Sequence, residues 1–393
     1  METTFTFKGS EENIPENDDL SRDVFRDEYD KDIQGIPWET DAMPFSRSYL
    51  RSRRSINYRS FRNKNDPLTL IDCTKNENCC FFEFNANHPQ ARCMYRHFQL
   101  RDCLLAISSN NVLHLKSPNE LRLYNPISRD SKRVLYSKSP LVSFHSLQDY
   151  VVSGGLEGEL FLSDIEGNLL KDIIVADTDS TKITNCCKLF DNRGKINIMS
   201  CNNDKKIRIL DPDYMEPIFM YELPAPVNGG AISPDRKLIA TVVDEEQDYI
   251  IDYESGKVRY ILKGHQDFGF GVQWHPKNEF YLATGNQDKS VMIWDIRMGP
   301  ELSPVYTLCG KVGSILNLKF SENGEFLAFA ESADFVRICD TRNYEETQVI
   351  DVFGEISGIT FSPEENCPYF FIGMADESFS SLMEFRKYEI IDF

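Results

Sequence analysis

The chain has 393 residues, 41% hydrophobic, 12% aromatic and 27% charged, with 43 Lys/Arg against 62 Asp/Glu and a net charge of −19. That length exceeds what one ordinary compact core holds, so two domains or one closed repeat array are expected. No run approaches the roughly 18 to 20 apolar residues that span a bilayer, so membrane insertion is not expected. The opening METTFTFKGSEENIPENDD lacks the basic and apolar regions of a secretory signal. The eleven cysteines therefore read as reduced thiols, and residence in the cytoplasm or nucleus is expected.

From the N-terminus, residues 1–45 carry four Lys/Arg against thirteen Asp/Glu. Residues 1–31 read as an acidic, largely disordered tail. Within it Leu20, Val24, Phe25 and Tyr29 recur at near-helical spacing and predict one short amphipathic helix. Asp32–Trp38 (DIQGIPW) follows, then an Arg/Tyr-rich run. Residues 46–64 hold seven basic residues and no acid, which leaves −17 on the remaining body. A body this acidic repels phosphate backbones, so nucleic acid is not an expected partner. Arg51, Arg53 and Arg54 suit an import signal, an anionic surface or the acidic body itself. Interleaved Tyr49, Tyr58 and Phe61 favour the intramolecular reading, because aromatic rings gain from packing. The expectation is that residues 32–66 lie along the body formed by 67–393, with Ile33, Ile36 and Trp38 buried. Trp38 and the three arginines are also candidate partner contacts.

Cys73, Cys79, Cys80, His88, Cys93, His97 and Cys103 crowd into 31 residues. They contain no C-x2-C, and adjacent Cys79 and Cys80 point to opposite faces of an apparent strand, so buried thiols are expected and no metal. Cys80–Phe84 (CFFEF) reads as that strand.

A repeat organises the rest. Short β-prone runs ending in an acidic or amide residue appear as Leu121–Asn125, Leu160–Asp164, Ile207–Asp211, Tyr249–Asp252, Val291–Asp295 and Val336–Asp340. Ser381–Phe385 is a degenerate seventh copy. Measured between Asn125, Asp164, Asp211, Asp252, Asp295, Asp340 and Glu384, the gaps are 39, 47, 41, 43, 45 and 44 residues. Such a period matches the roughly 40 to 45 residues of a four-stranded propeller blade. Turns of the form Ser233–Pro234–Asp235, Ser321–Glu322–Asn323–Gly324 and Ser362–Pro363–Glu364 follow the first strands.

The fifth unit is the fullest: Gly264–His265 precede it, then come Thr284, Asp288 and Trp294–Asp295. In these residues the chain resembles the WD-repeat family. The resemblance implies an all-β fold, a seven-bladed β-propeller with a non-globular N-terminal extension. It also implies a hydrogen-bonded structural tetrad of His265, Thr284, Asp288 and Trp294 tying the strands of one blade. In the other units Leu210 and Cys339 replace the tryptophan. With DIQGIPW and the Arg/Tyr-rich segment before it, the chain resembles fungal and plant WD-repeat proteins that open with such a motif. The family's mode of closure implies that Cys80–Phe84 pairs into the last blade, with Tyr388–Phe393 the alternative closing strand.

No G-x-S-x-G, H-E-x-x-H or G-x-x-x-x-G-K-[ST] occurs. The Gly-rich run Ser153–Gly158 falls at a strand turn, where glycine serves backbone conformation and no phosphate is required. No catalytic residue, enzyme activity or cofactor is expected. Trp294–Asp295–Ile296–Arg297 and Cys339–Asp340–Thr341–Arg342 each place an arginine two positions after a blade-ending Asp. This pattern is similar to the paired W-D-x-R boxes of substrate receptors that dock on the adaptor of cullin-4 ubiquitin ligases. Arg297 and Arg342 are therefore candidate partner-binding residues. The sequence reads as a non-catalytic protein-interaction scaffold with other proteins as partners, the alternative being such a ligase receptor.

Overall fold

The computed structural model describes residues 24–25, 32–41, 43–57, 77–176, 182–376 and 379–388. Among them the one α-helix, α1, spans Arg47–Asn57, and the body is built from antiparallel sheets. The first four-stranded sheet runs from Leu104–Ser108 to Ser131–Tyr136, and the second from Leu141–Leu147 to Leu169–Ile174. The third runs from Thr184–Asn192 to Glu216–Glu222. The fourth, Val227–Ile232 to Val258–Lys263, gains a parallel outer strand, Glu301–Leu302. The fifth runs from Gly269–Trp274 to Tyr306–Cys309.

The last sheet has eight strands because one of them, Thr347–Phe361, is 15 residues long. Its first part pairs with Ala333–Asp340 and its second with Tyr369–Met374. Beyond these, Ser381–Lys387 pairs with Phe82–His88, so the two ends of the body share one sheet. This sheet in turn meets the first: Cys103 N donates to Ser357 O at 3.1 Å, and Ala106 N to Thr360 Oγ1 at 3.1 Å. The sheets thus close around an axis as a β-propeller, the first and last strands of the body sharing one sheet.

The recurring residues have local causes. Third strands such as Val291–Asp295 are buried on both faces between neighbouring sheets, hence their continuous apolar runs. At several of them the acidic or amide residue at the end makes an Asx turn. Asn125 Oδ1 accepts from Ile127 N at 2.9 Å, Asp211 Oδ1 from Asp213 N at 2.8 Å, and Asp340 Oδ1 from Arg342 N at 2.8 Å. The serines of the expected turns tie the next strand: Leu238 N donates to Ser233 Oγ at 2.9 Å, Phe326 N to Ser321 Oγ at 3.0 Å, and Tyr369 N to Ser362 Oγ at 3.0 Å.

The innermost strands bulge at equivalent places, skipping Val142, Asn185, Asn228, Phe270 and Leu316. Asn185 and Asn228 use the bulge to reach the next sheet, donating to Val227 O and Gly269 O at 2.9 Å each. Val142, Phe270 and Leu316 instead turn into the axis and bury Leu100 among them.

The structure corrects several expectations. Val24–Phe25 is a strand on the Ala86–Asn87 edge, not part of a helix, since the open sheet edge supplies its hydrogen bonds; Leu20 and Tyr29 lie outside the described residues. The closing strand starts at Phe82 and not at Cys80, because Gln348 caps the chain there, accepting from Phe81 N at 2.7 Å and Phe82 N at 2.8 Å. Of the alternative closing strand only Tyr388 is described. Glu384 is not a blade-ending residue. In the fifth sheet Tyr281 pairs with Asp295, and the equivalent partner of Tyr369 is Arg386. Glu384 lies two residues earlier and binds buried His88 Nε2 at 3.0 Å. Among the described cysteines nine carry thiols, whereas Cys309 is disulfide-bonded, which corrects the all-reduced expectation. Cys309 ends an outer strand and is half-buried.

Candidate interaction site

The fifth sheet assembles the four tetrad residues. Trp294 is fully buried, and its indole Nε1 donates to Thr284 Oγ1 at 2.8 Å. Thr284 Oγ1 lies 2.7 Å from His265 Nε2, and His265 Nδ1 lies 3.0 Å from Asp288 Oδ2. Because indole can only donate, the chain of bonds runs from Trp294 through Thr284 and His265 to the carboxylate. Asp288 also accepts from Ser290 Oγ at 2.6 Å and from Gln266 N at 2.9 Å. Burial alone raises its pKa, but His265, Ser290 and the Gln266 amide overbalance this and hold it below the usual carboxylate range. The network joins the loop entering the sheet to its second and third strands and presents no reacting group to solvent.

Arg297 and Arg342 adopt the same clip in successive units. Each Nε donates to its own Asp Oδ1, at 2.9 Å to Asp295 and 3.0 Å to Asp340. Each Nη2 reaches Oδ2, at 2.6 and 2.5 Å. These hydrogen bonds hold both carboxyls below their ordinary range. The guanidinium groups are fixed locally, yet their side chains stay 54% and 82% exposed.

The basic arm is the second assembly. Arg47, Arg51 and Arg54 share one face of α1, at helical spacing. Arg51 straddles Asp351 through Nη1 at 2.9 Å and Nη2 at 2.6 Å, and its Nε reaches Asp334 at 3.4 Å. Arg54 pairs with Asp334, and Arg47 Nη2 with Asp351 at 2.7 Å. The guanidinium carbons of Arg51 and Arg54 sit over the rings of Phe335 and Phe353, at 4.8 and 4.1 Å. Asp334 is fully buried and also accepts from Gly354 N at 3.0 Å. Ahead of the helix, Trp38 donates to Asp32 and meets Phe353 edge-on at 4.8 Å.

Arg51, Arg54 and Trp38, candidates for partner contact, are engaged within the chain in this structure, the helical face aiming both guanidiniums inward. Arg53 is exposed on another face. Tyr58 and Phe61 lie outside the described residues. Ile36 is buried, but Ile33 and Trp38 are only half-buried, because Trp38 packs by its edge and Ile33 lies at the rim of the core. The sequence reading missed α1, Gln34 and Asp334. The one available signal was the i, i+4, i+7 spacing of the arginines.

The axis offers little room. Leu100 plugs it, Asp102 bridges to Lys319 at 2.7 Å and Asn317 at 3.0 Å, and Arg101 donates to Ile356 O at 3.1 Å. A cavity of about 40 Å3 remains, enough for a few waters at most. The Cys/His cluster is dispersed: Cys93 and Cys103 enter different cores, and His88 binds Glu384. Cys73 lies outside the described residues. Among the described residues no helix is long and apolar enough to cross a membrane.

Residues 256–295 match the family described as WD domain, G-beta repeat. The chain is 36% identical over 76 residues to the ribosome biogenesis protein WDR12 homolog of Nematostella vectensis, covering 19% of this chain and 18% of that protein. It is 29% identical over 97 residues to the WD repeat-containing protein ATCSA-1 of Arabidopsis thaliana, covering 24% and 22%. It is 38% identical over 71 residues to activating molecule in BECN1-regulated autophagy protein 1B of Danio rerio, covering 18% and 5%. The matched segments thus span less than a quarter of each relative. A chain in the Crystal Structure of Mitotic Checkpoint Complex shares the fold, with a TM-score of 0.63 and 16% identity over 82% of this chain and 100% of that one. The matched repeat is the one that holds the tetrad, and two of the relatives, like this chain, match in WD-repeat segments.

Proposed function

We propose that the chain is a non-catalytic protein-interaction scaffold of the cytoplasm or nucleus. In this reading it is a seven-bladed propeller, the long strand Thr347–Phe361 serving two blades, and residues 32–66 form an extension docked on it. The DIQGIPW segment is then the docking element of a group of fungal and plant WD-repeat proteins. The observation that carries the scaffold reading is the filled axis: with Leu100, Val142, Phe270 and Leu316 closing it, partners meet the molecule on its rims and outer edges. The relatives named for ribosome biogenesis and autophagy support the same class of role.

A second reading, the substrate receptor of a cullin-4-type ligase, draws on one observation. Arg297 and Arg342 repeat one clip on successive units and leave two exposed cations in fixed geometry. Affinity capture from the native cell separates the two. The scaffold reading expects a partner set that survives Arg297→Ala with Arg342→Ala. The receptor reading expects the ligase adaptor in the set and its loss in the double variant.

A further inference from the structure

Thr184–Asn192 and Lys195–Asn202 are adjacent antiparallel strands, and Cys186 lies directly opposite Cys201 in their register. Directly opposed residues project to the same face, with Cα separations of roughly 4.5 to 5.5 Å, inside the range a disulfide spans. Cys186 is half-buried and lines the axial cavity; Cys201 is fully buried behind it. The neighbouring sheet leaves the pair no slack, since a Cβ on Gly230 would fall 2.7 Å from Cys201 Sγ. Cys187, one residue along, faces the other way, towards Ser143 Oγ at 3.5 Å.

We propose that Cys186 and Cys201 are a reversible thiol–disulfide pair in the channel wall, oxidised by a small hydroperoxide that enters the axial cavity. Cys186 is the attacking sulfur. The neighbouring Cys201 thiol favours its thiolate and outweighs burial, the Lys188 ammonium and the Gly230 amide add to this, and Asp102 opposes it; together they hold the Cys186 thiol below the ordinary thiol range. Cys201 keeps its proton, chiefly because it donates to Cys186. The Cys186 sulfur attacks the peroxide, forming S–O and breaking O–O, and the alkoxide released takes up the proton Cys186 had lost. Cys201 then attacks the sulfenic sulfur: S–S forms, S–O breaks, and the departing hydroxide leaves with the Cys201 proton as water. Two thiols and one hydroperoxide give one disulfide, one alcohol and one water. A dithiol reductant reverses the reaction. Burial pushes Cys103 and Cys367 up to about 12, so they remain protonated and inert.

The test uses the full chain with hydrogen peroxide, blocking of remaining thiols, and peptide mass spectrometry. The expected product is a dithiothreitol-reversible Cys186–Cys201 link that appears before any oxidation of Cys103 or Cys367. Iodoacetamide labelling of Cys186 should rise at a lower pH than that of an ordinary thiol, whose midpoint is about 8.5. Cys201→Ala should abolish the link, leave a dimedone-reactive sulfenic acid at Cys186, and move the labelling midpoint upward. Should Cys201→Ala fail to fold, Cys201→Ser, which retains a donor, should still abolish the link while keeping the low midpoint. A labelling midpoint near 8.5 in the unmodified chain, or peroxide oxidation of Cys186 that never captures Cys201, overturns the proposal.

Discussion

The side-chain amide of Gln34 exchanges two hydrogen bonds with the backbone of Phe353, donating to its carbonyl at 2.8 Å and accepting from its amide at 2.6 Å. One side chain thus does the work of a neighbouring strand at the middle of Thr347–Phe361. Replacing Gln34 by Ala leaves a buried N–H and C=O without partners, so a loss of about 1 to 3 kcal/mol is expected. Gln34→Glu keeps the acceptor but sets a carboxylate oxygen against the Phe353 carbonyl, and should cost at least as much. Chemical denaturation gives the energies, and hydrogen exchange over residues 32–57 should rise in both variants.

Asp334 is buried under two arginines. Asp334→Asn removes the charge they compensate, and Arg51→Ala or Arg54→Ala removes one partner. Leaving a buried carboxylate short of a cation is expected to cost about 3 kcal/mol in either single arginine variant. A double-mutant cycle between Arg54 and Asp334 should show positive coupling. Zero coupling would mean that the rings of Phe335 and Phe353 hold the arm without the carboxylate.

Thr284 Oγ1 is the hinge of the tetrad, meeting both Trp294 Nε1 and His265 Nε2. Thr284→Val preserves the shape and orphans two buried ring nitrogens, so destabilisation of about 2 to 4 kcal/mol is expected. Thr284→Ser retains the hydroxyl and should recover most of it. Equal melting temperatures for the Val and Ser variants would show that the network adds nothing beyond packing.

Asp248 supplies a pH test. Burial raises its carboxyl to about 7; His265 and the Val243 amide pull it down, while Asp288 and Glu245 push it up. Val243 N donates to Oδ1 at 3.1 Å, and Oδ2 has no partner among the described residues. Between about pH 4 and 7 the folded chain therefore holds a proton that the unfolded chain has lost. Stability from this group is complete below pH 4 and falls as pH rises through 7. Asp248→Asn should flatten that decline, gaining about 2 to 4 kcal/mol at pH 8 and nothing at pH 4. Melting curves of both proteins across that range read it directly.

Much of the propeller was legible because its periodic signals are local. The Asp or Asn ending a third strand caps its own Asx turn, and the serine of each following turn ties its own strand, so each repeats wherever the backbone does. The tetrad residues were named by the resemblance of the fifth unit to a WD repeat and not by the period. The arm was not legible: Gln34 acts on Phe353 and Arg51 on Asp351, about three hundred residues away, and no spacing in the sequence encodes such a pair. Glu384 misled because its carboxylate serves buried His88 and not a turn. The bulged Val142, Phe270 and Leu316 looked like ordinary strand residues, since only closure of the sheets brings them together around Leu100.

Thr347–Phe361 runs unbroken through two sets of partners, and the arm grips it near its midpoint at Asp351 and Phe353. A few residues before the arm, Val24–Phe25 lies on the outer edge of the strand that seals the body. The N-terminal end is therefore a handle with two points of purchase on one seam. A pull from that direction, by a bound partner or an unfolding machine, loads the joint where the sheets close before it loads any other, and the molecule should open there first.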